Sequence, residues 1–238
     1  MNRSALRNML KVVGIIMVVM LPVMLALWFA QLRAVSEISA QLRTFAELAL
    51  NKTERVIQQV DLAREDAEKY QGKVCTPEHR QYMLNVSRGR LFVADLIYAE
   101  GQSFLCSTLF TPDHPYTIPA ANYTRKPDVA IYYFRDTPFF DGYKMIYMQR
   151  GNYVAVVNPL SYSEVMSDDR SLSWGVYDTV SNAFFSVSQK ANISLLHSML
   201  RHQETTFQKG DRFYTIVKSG QRPIAAIVST SSARFYKT

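Results

Sequence analysis

The sequence predicts an α+β protein: an N-terminal transmembrane helix, a long helical stalk, and then a mixed domain with an antiparallel sheet. An uncharged apolar run comes first, an apolar stripe with helical spacing follows it, and runs with the alternation typical of strands fill most of the rest. Because the helical patterns precede the strands instead of alternating with them, they favour α+β over α/β. The expected divisions are a tail at residues 1–11, a membrane helix at 12–32, a stalk at 33–72 and a domain at 73–238.

The apolar run from Val12 to Ala30 is 19 residues long and carries no charge. A helix needs about 20 such residues to cross the core of a bilayer. Arg3, Arg7 and Lys11 precede the run, so the positive-inside bias places the tail in the cytoplasm and the domain beyond the membrane. A cleaved signal peptide would have an apolar region of roughly 7–15 residues, followed by small residues at the cleavage site. This run is longer. The small residue near its end, Ala30, has the large Trp28 two positions before it, where a cleavage site needs a small residue, so we expect an uncleaved anchor.

A stripe of apolar residues, with steps of mostly three and four, runs from Arg33 to Tyr70. This spacing places the apolar side chains on one face of a long helix. Lys52 and Thr53 interrupt the stripe once, and Gly72 is a stop signal. Such a face is covered either by the chain's own domain or by a second copy in a coiled coil. The sequence leaves both alternatives open, and the second predicts a homodimer through the stalk.

Alternating residues predict that the domain is rich in strands. A hairpin is expected first, with strands at Leu91–Ala99 and Ser103–Phe110 around a turn at Gly101. A short helix is also expected at Asn192–Gln203. The other predicted strands are Val129–Arg135, Lys144–Arg150, Tyr153–Asn158, Ser173–Asp178, Ala183–Val187, Arg212–Ser219 and Ile224–Thr230.

Both cysteines, Cys75 and Cys106, fall in the domain beyond the membrane, where disulfides are permitted. An even pair there predicts one bridge. Thr76 and Pro77 come directly after Cys75 and are typical of a helix start, so a helix is expected to about Arg90. The helix dipole would then favour a thiolate at Cys75 once the bridge is reduced. The residues alone leave two roles open for the bridge, a structural staple and a redox switch.

The formal charge of +7 does not indicate a nucleic-acid partner. Residues 1–33 contain four basic and no acidic residues, which leaves 23 basic against 20 acidic residues elsewhere, without a basic stripe. Two cysteines are too few for a closed zinc site, and the histidines lack paired metal-ligand spacing. Neither a metal nor a cofactor is predicted. Each histidine is expected to be a surface or loop residue: His79, His114, His197 and His202.

The cysteines lie in a context that resembles a known family. A cysteine just before a helix start is followed about thirty residues later by a strand that ends in Cys106-Ser107-Thr108. After a basic N-terminus, a membrane helix and a helical stalk, this pattern resembles the CSS-motif domain, the periplasmic sensory region of a family of bacterial cyclic-di-GMP phosphodiesterases. The matching stretches are residues 73–77 and 91–110. Thr108 stands where the family signature has a second Ser, which is a conservative departure.

The resemblance implies a redox sensor in the bacterial inner membrane, with its main domain in the periplasm. A Cys75–Cys106 disulfide would control it, a periplasmic thiol oxidase system would form that bond, and Ser107 and Thr108 would be motif residues. The family's output is a cytoplasmic EAL-type phosphodiesterase domain that follows a second membrane helix. Neither a second apolar span nor an E-A-L signature occurs here, so we expect either a truncated chain or a stand-alone sensor. No catalytic residue is predicted.

Two other functions stay open from the sequence. The domain could be a ligand-sensing module whose disulfide is purely structural, which an apolar pocket without a carboxylate pair would favour. The topology also suits a type II membrane glycosyltransferase, and four Asn-X-Ser/Thr sequons would fit a eukaryotic secretory protein. Such an enzyme needs a site for a metal ion or a nucleotide sugar, and Asp168 with Asp169 is a poor candidate for one.

Overall fold

The computed structural model describes residues 3–109, 114–125, 129–135, 137, 140, 142–162, 172–188 and 206–233. It has a long N-terminal helix followed by a mixed domain with antiparallel sheets, so the predicted α+β fold is confirmed. The helix predicted at Asn192–Gln203 and the pair Asp168 and Asp169 lie outside the described residues.

Helix α1 spans Arg3–Ala67, helix α2 spans Pro77–Arg88, and a 3₁₀ turn spans Pro159–Tyr162. The strand predicted from Leu91 begins four residues later, because residues 91 and 92 form a turn after α2. The strands of the described residues are β1 Asp95–Glu100, β2 Ser103–Ser107, β3 Tyr116–Thr117, β4 Tyr123–Arg125, β5 Val129–Arg135, β6 Met145–Arg150, β7 Tyr153–Val157, β8 Ser173–Asp178, β9 Ala183–Val187, β10 Phe207–Lys209, β11 Arg212–Lys218 and β12 Ile224–Ser231.

Helix α1 runs unbroken through the predicted anchor and the predicted stalk, and it ends at Ala67, three residues before the predicted end at Tyr70. Among the described residues it is the one helix long and apolar enough to cross a membrane, with a mean hydropathy of 1.9 in its most apolar window. The rest of the chain buries none of that window. Trp28, for example, is 57 % exposed. The length and composition of this part of α1 are therefore those of a helix that could cross a membrane.

From Leu42 onward, the chain's own domain covers the apolar stripe of α1. The interruption in the stripe does not break this face, because Thr53 is buried and its hydroxyl donates to the Ala49 carbonyl at 3.0 Å. Lys52 lies beside the face, with its ammonium 4.4 Å from the ring centre of Phe92. Of the two alternatives for the stripe, intramolecular packing therefore holds for this part of α1. The buried residues are Leu42, Ala46, Ala49, Leu50, Val56, Val60, Ala63 and Ala67.

The strands form two antiparallel sheets, where the sequence suggested one. Sheet A has the order β3-β2-β1-β7-β6-β5-β4, and sheet B has the order β10-β11-β12-β8-β9. The largest core joins the buried face of α1 to one face of each sheet. A second core, which includes Phe104 and Tyr147, covers the other face of sheet A. Because sheet A is covered on both faces, strand β7 is buried throughout, which explains its continuous apolar sequence.

Candidate functional site

The disulfide connects the start of α2 to sheet A. Cys75 and Cys106 are bonded, and their Cα atoms are 5.6 Å apart. Cys106 is fully buried on β2, where it pairs with Tyr98 of β1. Gly101 closes this hairpin with a φ of +60°, a conformation that glycine adopts without strain. The bond thus attaches the segment between α1 and α2 to the two strands that the sequence predicted as a hairpin.

The helix start predicted after Cys75 is present. Thr76 is the N-cap of α2, and its hydroxyl accepts a hydrogen bond from the His79 N–H at 3.3 Å, while Pro77 occupies the first turn. Cys75 has a φ of +59°, a conformation that costs a non-glycine residue about 1–2 kcal/mol. Its bond to Cys106 and a hydrogen bond from its N–H to His79 both hold this conformation.

The prediction that His79 is a surface or loop residue is wrong, because its side chain is fully buried beside the disulfide. Its Nδ1 accepts from the Cys75 N–H at 2.9 Å, and its Nε2 lies 3.0 Å from the Tyr153 hydroxyl. Since Nδ1 is an acceptor, the ring proton is on Nε2, and the Tyr153 oxygen accepts it. Burial lowers the pKa of His79, which keeps the ring neutral. His79, Met83 and Ser87 recur every four residues on the buried face of α2, a period that could have predicted this burial.

Aromatic rings surround His79. The ring centres of Tyr70, Tyr98 and Tyr153 lie 4.6, 5.4 and 5.9 Å from that of the imidazole. Burial raises the pKa of Tyr153 to about 12, so its hydroxyl stays protonated at neutral pH. These rings separate the imidazole side of the disulfide from solvent. A reductant would therefore reach the disulfide at the Cys75 sulfur, because Cys75 is only half-buried.

Ser107 and Thr108, the two residues after Cys106, bind the carboxyl group of Asp95. Asp95 begins β1 and is fully buried. Its Oδ1 accepts from the Thr108 hydroxyl at 2.5 Å and from the Thr108 N–H at 3.1 Å, and the Ser107 hydroxyl also donates to this carboxyl. Its Oδ2 is buried and has no partner among the described residues. Burial outweighs the hydrogen bonds and raises the pKa of Asp95 to about 6.

This contact gives the motif hydroxyls a physical role. Ser and Thr both supply a hydroxyl, so Thr108 makes the contact that the family's Ser could make. Ser107 adds a second link, because its hydroxyl also accepts from the Leu109 N–H at 3.1 Å. Asp95 is not among the residues predicted for the site. The signal was present, since Asp95 is the one acidic residue inside the apolar run Leu91–Ala99.

One cluster has the donor types of a metal site. Both sulfurs and one ring nitrogen of His79 lie within 4.8 Å of one another. In this arrangement the sulfurs of Cys75 and Cys106 are bonded to each other, and the Nδ1 lone pair of His79 accepts from the Cys75 N–H. Metal ions bind thiolates and free imidazole nitrogens. The site therefore offers a disulfide and a neutral histidine, and no thiolate ligand.

A cavity of about 360 Å³ lies away from the disulfide, where α1 meets both sheets. Strands β5 and β6 of sheet A and strands β8, β9 and β12 of sheet B all contribute to its wall. Charged and apolar side chains both line it. The apolar ones are Ile57, Val129, Ile131, Met148, Phe185 and Ile224.

The fold is similar to solved extracellular sensory and ligand-binding domains. The extracellular domain of rpHK1S-Z16 has a TM-score of 0.58 and 7 % identity, covering 88 % of this chain and 99 % of that one. The sensory domain of the Campylobacter jejuni chemoreceptor Tlp3 (CcmL) has a TM-score of 0.51 and 10 % identity, covering 86 % and 98 %. An extracellular ligand binding receptor from Desulfohalobium retbaense has a TM-score of 0.51 and 8 % identity, covering 80 % and 39 %. At these identities the likeness shows the fold alone.

Residues 39–238 match the family described as the CSS motif domain associated with EAL, so the chain belongs to that family. It is also 24 % identical over 152 residues to the probable cyclic di-GMP phosphodiesterase PdeB of Escherichia coli K12. That match covers 64 % of this chain and 30 % of PdeB. The predicted resemblance to the CSS-motif domain is therefore confirmed, and the family's association with EAL domains links this chain to cyclic-di-GMP phosphodiesterases.

Proposed function

We propose that this chain is a periplasmic redox sensor, anchored in the bacterial inner membrane, whose Cys75–Cys106 disulfide controls a cyclic-di-GMP phosphodiesterase output. The observation that carries the proposal is the position of the disulfide. It fixes the joint that follows α1, in a chain whose family is associated with EAL domains. The output is an EAL-type domain, either further along a longer chain or on a separate partner. Residues 1–11 lie in the cytoplasm and the domain lies in the periplasm, as the basic residues before the apolar run indicate.

Contacts between α1 and α2 support a path from the disulfide to the membrane helix. The Tyr82 hydroxyl of α2 donates to the Asp66 carbonyl at 2.8 Å, in the last turn of α1. Arg90, just after α2, pairs with the Asp66 carboxylate at 2.5 Å. The disulfide fixes Cys75, which precedes the N-cap of α2, and the contacts of Tyr82 and Arg90 with Asp66 fix the end of α1. When the bond is broken, only the hydrogen bond to His79 still holds the left-handed conformation of Cys75, and the joint at residues 68–74 loosens.

The redox step balances without a bound cofactor. Oxidation removes two electrons and two protons from the thiols of Cys75 and Cys106, and forms the sulfur–sulfur bond. An oxidised dithiol protein of the periplasmic thiol oxidase system accepts the electrons and protons, and becomes a dithiol. A reduced dithiol protein reverses the step by attack of its thiolate on one sulfur. Because Cys106 is fully buried and Cys75 is half-buried, the attack falls on the Cys75 sulfur and Cys106 leaves as the thiolate. Once the bond is reduced, the N-terminus of α2 stabilises a Cys75 thiolate, which favours re-oxidation.

A homodimer needs a different face of α1 from the predicted stripe. Leu42 is only 2 % exposed because the domain covers it. On the outer face, Leu48 is 50 % exposed and Leu62 is 38 % exposed. They lie 14 residues apart, which is two heptads, so both fall on one line along the helix. We place the proposed stalk contact on this line and along the membrane helix that precedes it.

The test compares cross-linking of α1 in the oxidised protein and in the double variant Cys75→Ser, Cys106→Ser. A single cysteine replaces Leu48, and a bismaleimide joins copies in native membranes. The native cysteines of the oxidised protein do not react because they are bonded to each other. Arg43→Cys is the matched control, since Arg43 is exposed and lies about 140° around the helix from Leu48.

We expect cross-linking at Leu48 to change at least twofold when the disulfide is removed, and cross-linking at Arg43 to stay low. Equal cross-linking in both backgrounds, together with a lower melting temperature in the double variant, would show that the disulfide is a structural staple. No cross-linking at Leu48 in either background would contradict the dimer.

Ligand sensing is the second candidate function. The fold resembles the Tlp3 sensory domain, which has also been solved in complex with 4-methylisoleucine, with a TM-score of 0.52 and 10 % identity. The cavity beside α1 gives a ligand a place to act on the same helix. In this alternative the disulfide is structural, and the ligand changes cross-linking of α1 in the presence of the intact bond. Nothing in the described residues or in the family match favours the glycosyltransferase alternative.

A further inference from the structure

The cavity between α1 and the two sheets contains a buried guanidinium with a spare donor. Arg64 of α1 is only 3 % exposed. One of its terminal nitrogens forms an ion pair with Asp61, and the other donates to the Met148 carbonyl at 3.3 Å. Its Nε is buried and has no partner among the described residues. A buried polar group without a partner is unfavourable, so a site with a spare donor suits a ligand that accepts hydrogen bonds.

A second guanidinium reaches the same cavity from sheet B. Arg222, just before β12, donates to Asp61 at 3.0 Å and is 30 % exposed. Asp61 thus lies between Arg64 and Arg222. Each guanidinium has five N–H donors in a fixed plane. The described contacts use two donors of Arg64 and one of Arg222, so this pair has donors for a further acceptor. Arg150 of β6 also lines the cavity.

The acidic groups of the cavity are less available than the arginines. Asp178 lines it from β8, but its Oδ1 accepts from the N–H groups of Val180 and Ser181 at 2.9 and 3.1 Å. Its Oδ2 accepts from the Tyr133 hydroxyl at 3.3 Å. Glu65 is exposed on α1. A cation would have to compete with these contacts, whereas an anion meets guanidinium donors directly.

We infer that this cavity binds a small organic carboxylate, held by Arg64 and Arg222, with its apolar body against Ile131 and Phe185. Planar guanidinium groups match the geometry of a carboxylate and bind it through paired hydrogen bonds. The volume of about 360 Å³ is at the small end of ligand sites, which span roughly 300–1,000 Å³, and its apolar walls favour an aliphatic or aromatic body. The inference names the ligand class for the second function proposed above, and it does not depend on the redox role of the disulfide.

Occupancy of this cavity would act on the helix that enters the membrane. Asp61 and Arg64 belong to α1, whereas Arg222 lies in the turn before β12 and Ile224 begins that strand of sheet B. A carboxylate held by the remaining donors of Arg64 and Arg222 adds a second link between α1 and the turn before β12, beside the one that Asp61 makes. Binding therefore changes how the turn before β12 holds the C-terminal part of α1. Because α1 is continuous from Arg3 to Ala67, a shift of its C-terminal part can be passed along a single helix.

The experiment measures binding to the full chain in lipid nanodiscs by titration calorimetry. The probes are 4-methylpentanoate and phenylacetate, each tested beside its uncharged amide. The variants are Arg222→Gln and Arg150→Gln, with Arg88→Gln as the control, since Arg88 is exposed at the end of α2 and away from the cavity. Melting curves of every variant are recorded first, so that a loss of binding is read only in folded protein.

We expect at least one acid to bind while its amide does not, and we expect Arg222→Gln to weaken binding about tenfold or more, as the loss of a charged hydrogen bond does. Arg88→Gln should bind as the unchanged protein does. The inference is wrong if neither acid binds at about 10 mM, far above the Kd of a specific site. It is also wrong if the amides bind equally well, or if a folded Arg222→Gln variant binds with unchanged affinity.

The same titration on Cys75→Ser, Cys106→Ser separates this inference from the redox proposal. One outcome is that the double variant still binds a carboxylate and that cross-linking at Leu48 is the same with and without the disulfide. This result supports the proposed carboxylate site and contradicts the redox switch. The other outcome is that cross-linking at Leu48 changes when the disulfide is removed and that neither acid binds. This result supports the redox switch and contradicts the proposed carboxylate site.

Discussion

Asp95 offers the sharpest test of what the motif hydroxyls do. Its carboxyl is fully buried, accepts hydrogen bonds from Ser107 and Thr108, and has a pKa raised to about 6. In the unfolded chain an aspartate has a pKa of about 3.9. Between these two values the folded protein holds a proton that the unfolded chain has released. The stability contributed by this group is therefore complete at low pH, falls as the pH rises from about 4 through about 6, and is level above that.

The size of the effect follows from the shift. A difference of about two pKa units corresponds to about 3 kcal/mol over the whole range, and roughly 2 kcal/mol of it falls between about pH 4 and pH 7. Asp95→Asn keeps an oxygen that accepts from Thr108 and removes the titration. For a domain of this size, 1 kcal/mol moves the melting temperature by about 2–4 °C. Between these pH values the melting temperature of the unchanged protein should therefore fall by about 4–8 °C relative to that of the variant.

The assay is thermal denaturation of the full chain in nanodiscs at the two pH values. Asp211→Asn is the matched control, because it makes the same change of side chain at an exposed position in a turn of the other sheet. The reasoning depends on burial outweighing the hydrogen bonds from Ser107 and Thr108. If Asp95→Asn has the same pH dependence as the unchanged protein, burial does not set the pKa. If the unchanged protein gains stability relative to the variant as the pH rises, the hydroxyls hold the carboxylate ionised.

Three further predictions concern stability, measured by denaturant unfolding. Cys75→Ser, Cys106→Ser should lower the free energy of unfolding by about 3.5 kcal/mol, because the bond closes a loop of 31 residues; a change below about 1 kcal/mol would contradict this. His79→Ala should cost roughly 2–4 kcal/mol through the cavity that it leaves and the lost bond to the Cys75 N–H, and a neutral result would show that the ring is not packed. Gly101→Ala should cost about 1 kcal/mol because of its positive φ, whereas Gly220→Ala should be neutral, since no atom would contact the added Cβ and its φ is not in that region; equal costs would contradict the backbone argument.

Local signals were sufficient to predict the start of α2 and the bounds of several strands. Thr76 followed by Pro77 predicted the start of α2, and both the N-cap and the first-turn proline are in the structure. The alternating runs predicted β5, β8 and β9 with the bounds that the structure has. These features depend on neighbours within a few residues, so the local sequence contains the information that sets them.

Burial of the polar site residues could not be assigned so directly. His79 was predicted to be a surface or loop residue, but its side chain is buried. The buried carboxyl group of Asp95 was not predicted. Histidine is a polar residue, so the sequence of a short helix favours an exposed position for it. The hydrogen-bond partner that satisfies the buried ring of His79 is Tyr153, which lies 74 residues further along the chain. Asp95 depends on Thr108 of the next strand. Such partners become known only when the strands are placed side by side.

The sequence by itself determined the order of the elements, the apolar run before the domain, the cysteine pair and the family, because these are properties of consecutive or regularly spaced residues. The tertiary structure alone decided that two sheets form, that α1 buries its stripe from Leu42 in the chain's own domain, and that Arg64 and Arg222 meet Asp61 in one cavity. A periodic pattern shows that a helix has an apolar face, but it does not show what covers that face. Arg222 lies 161 residues after Asp61, so their contact depends on how the whole chain packs.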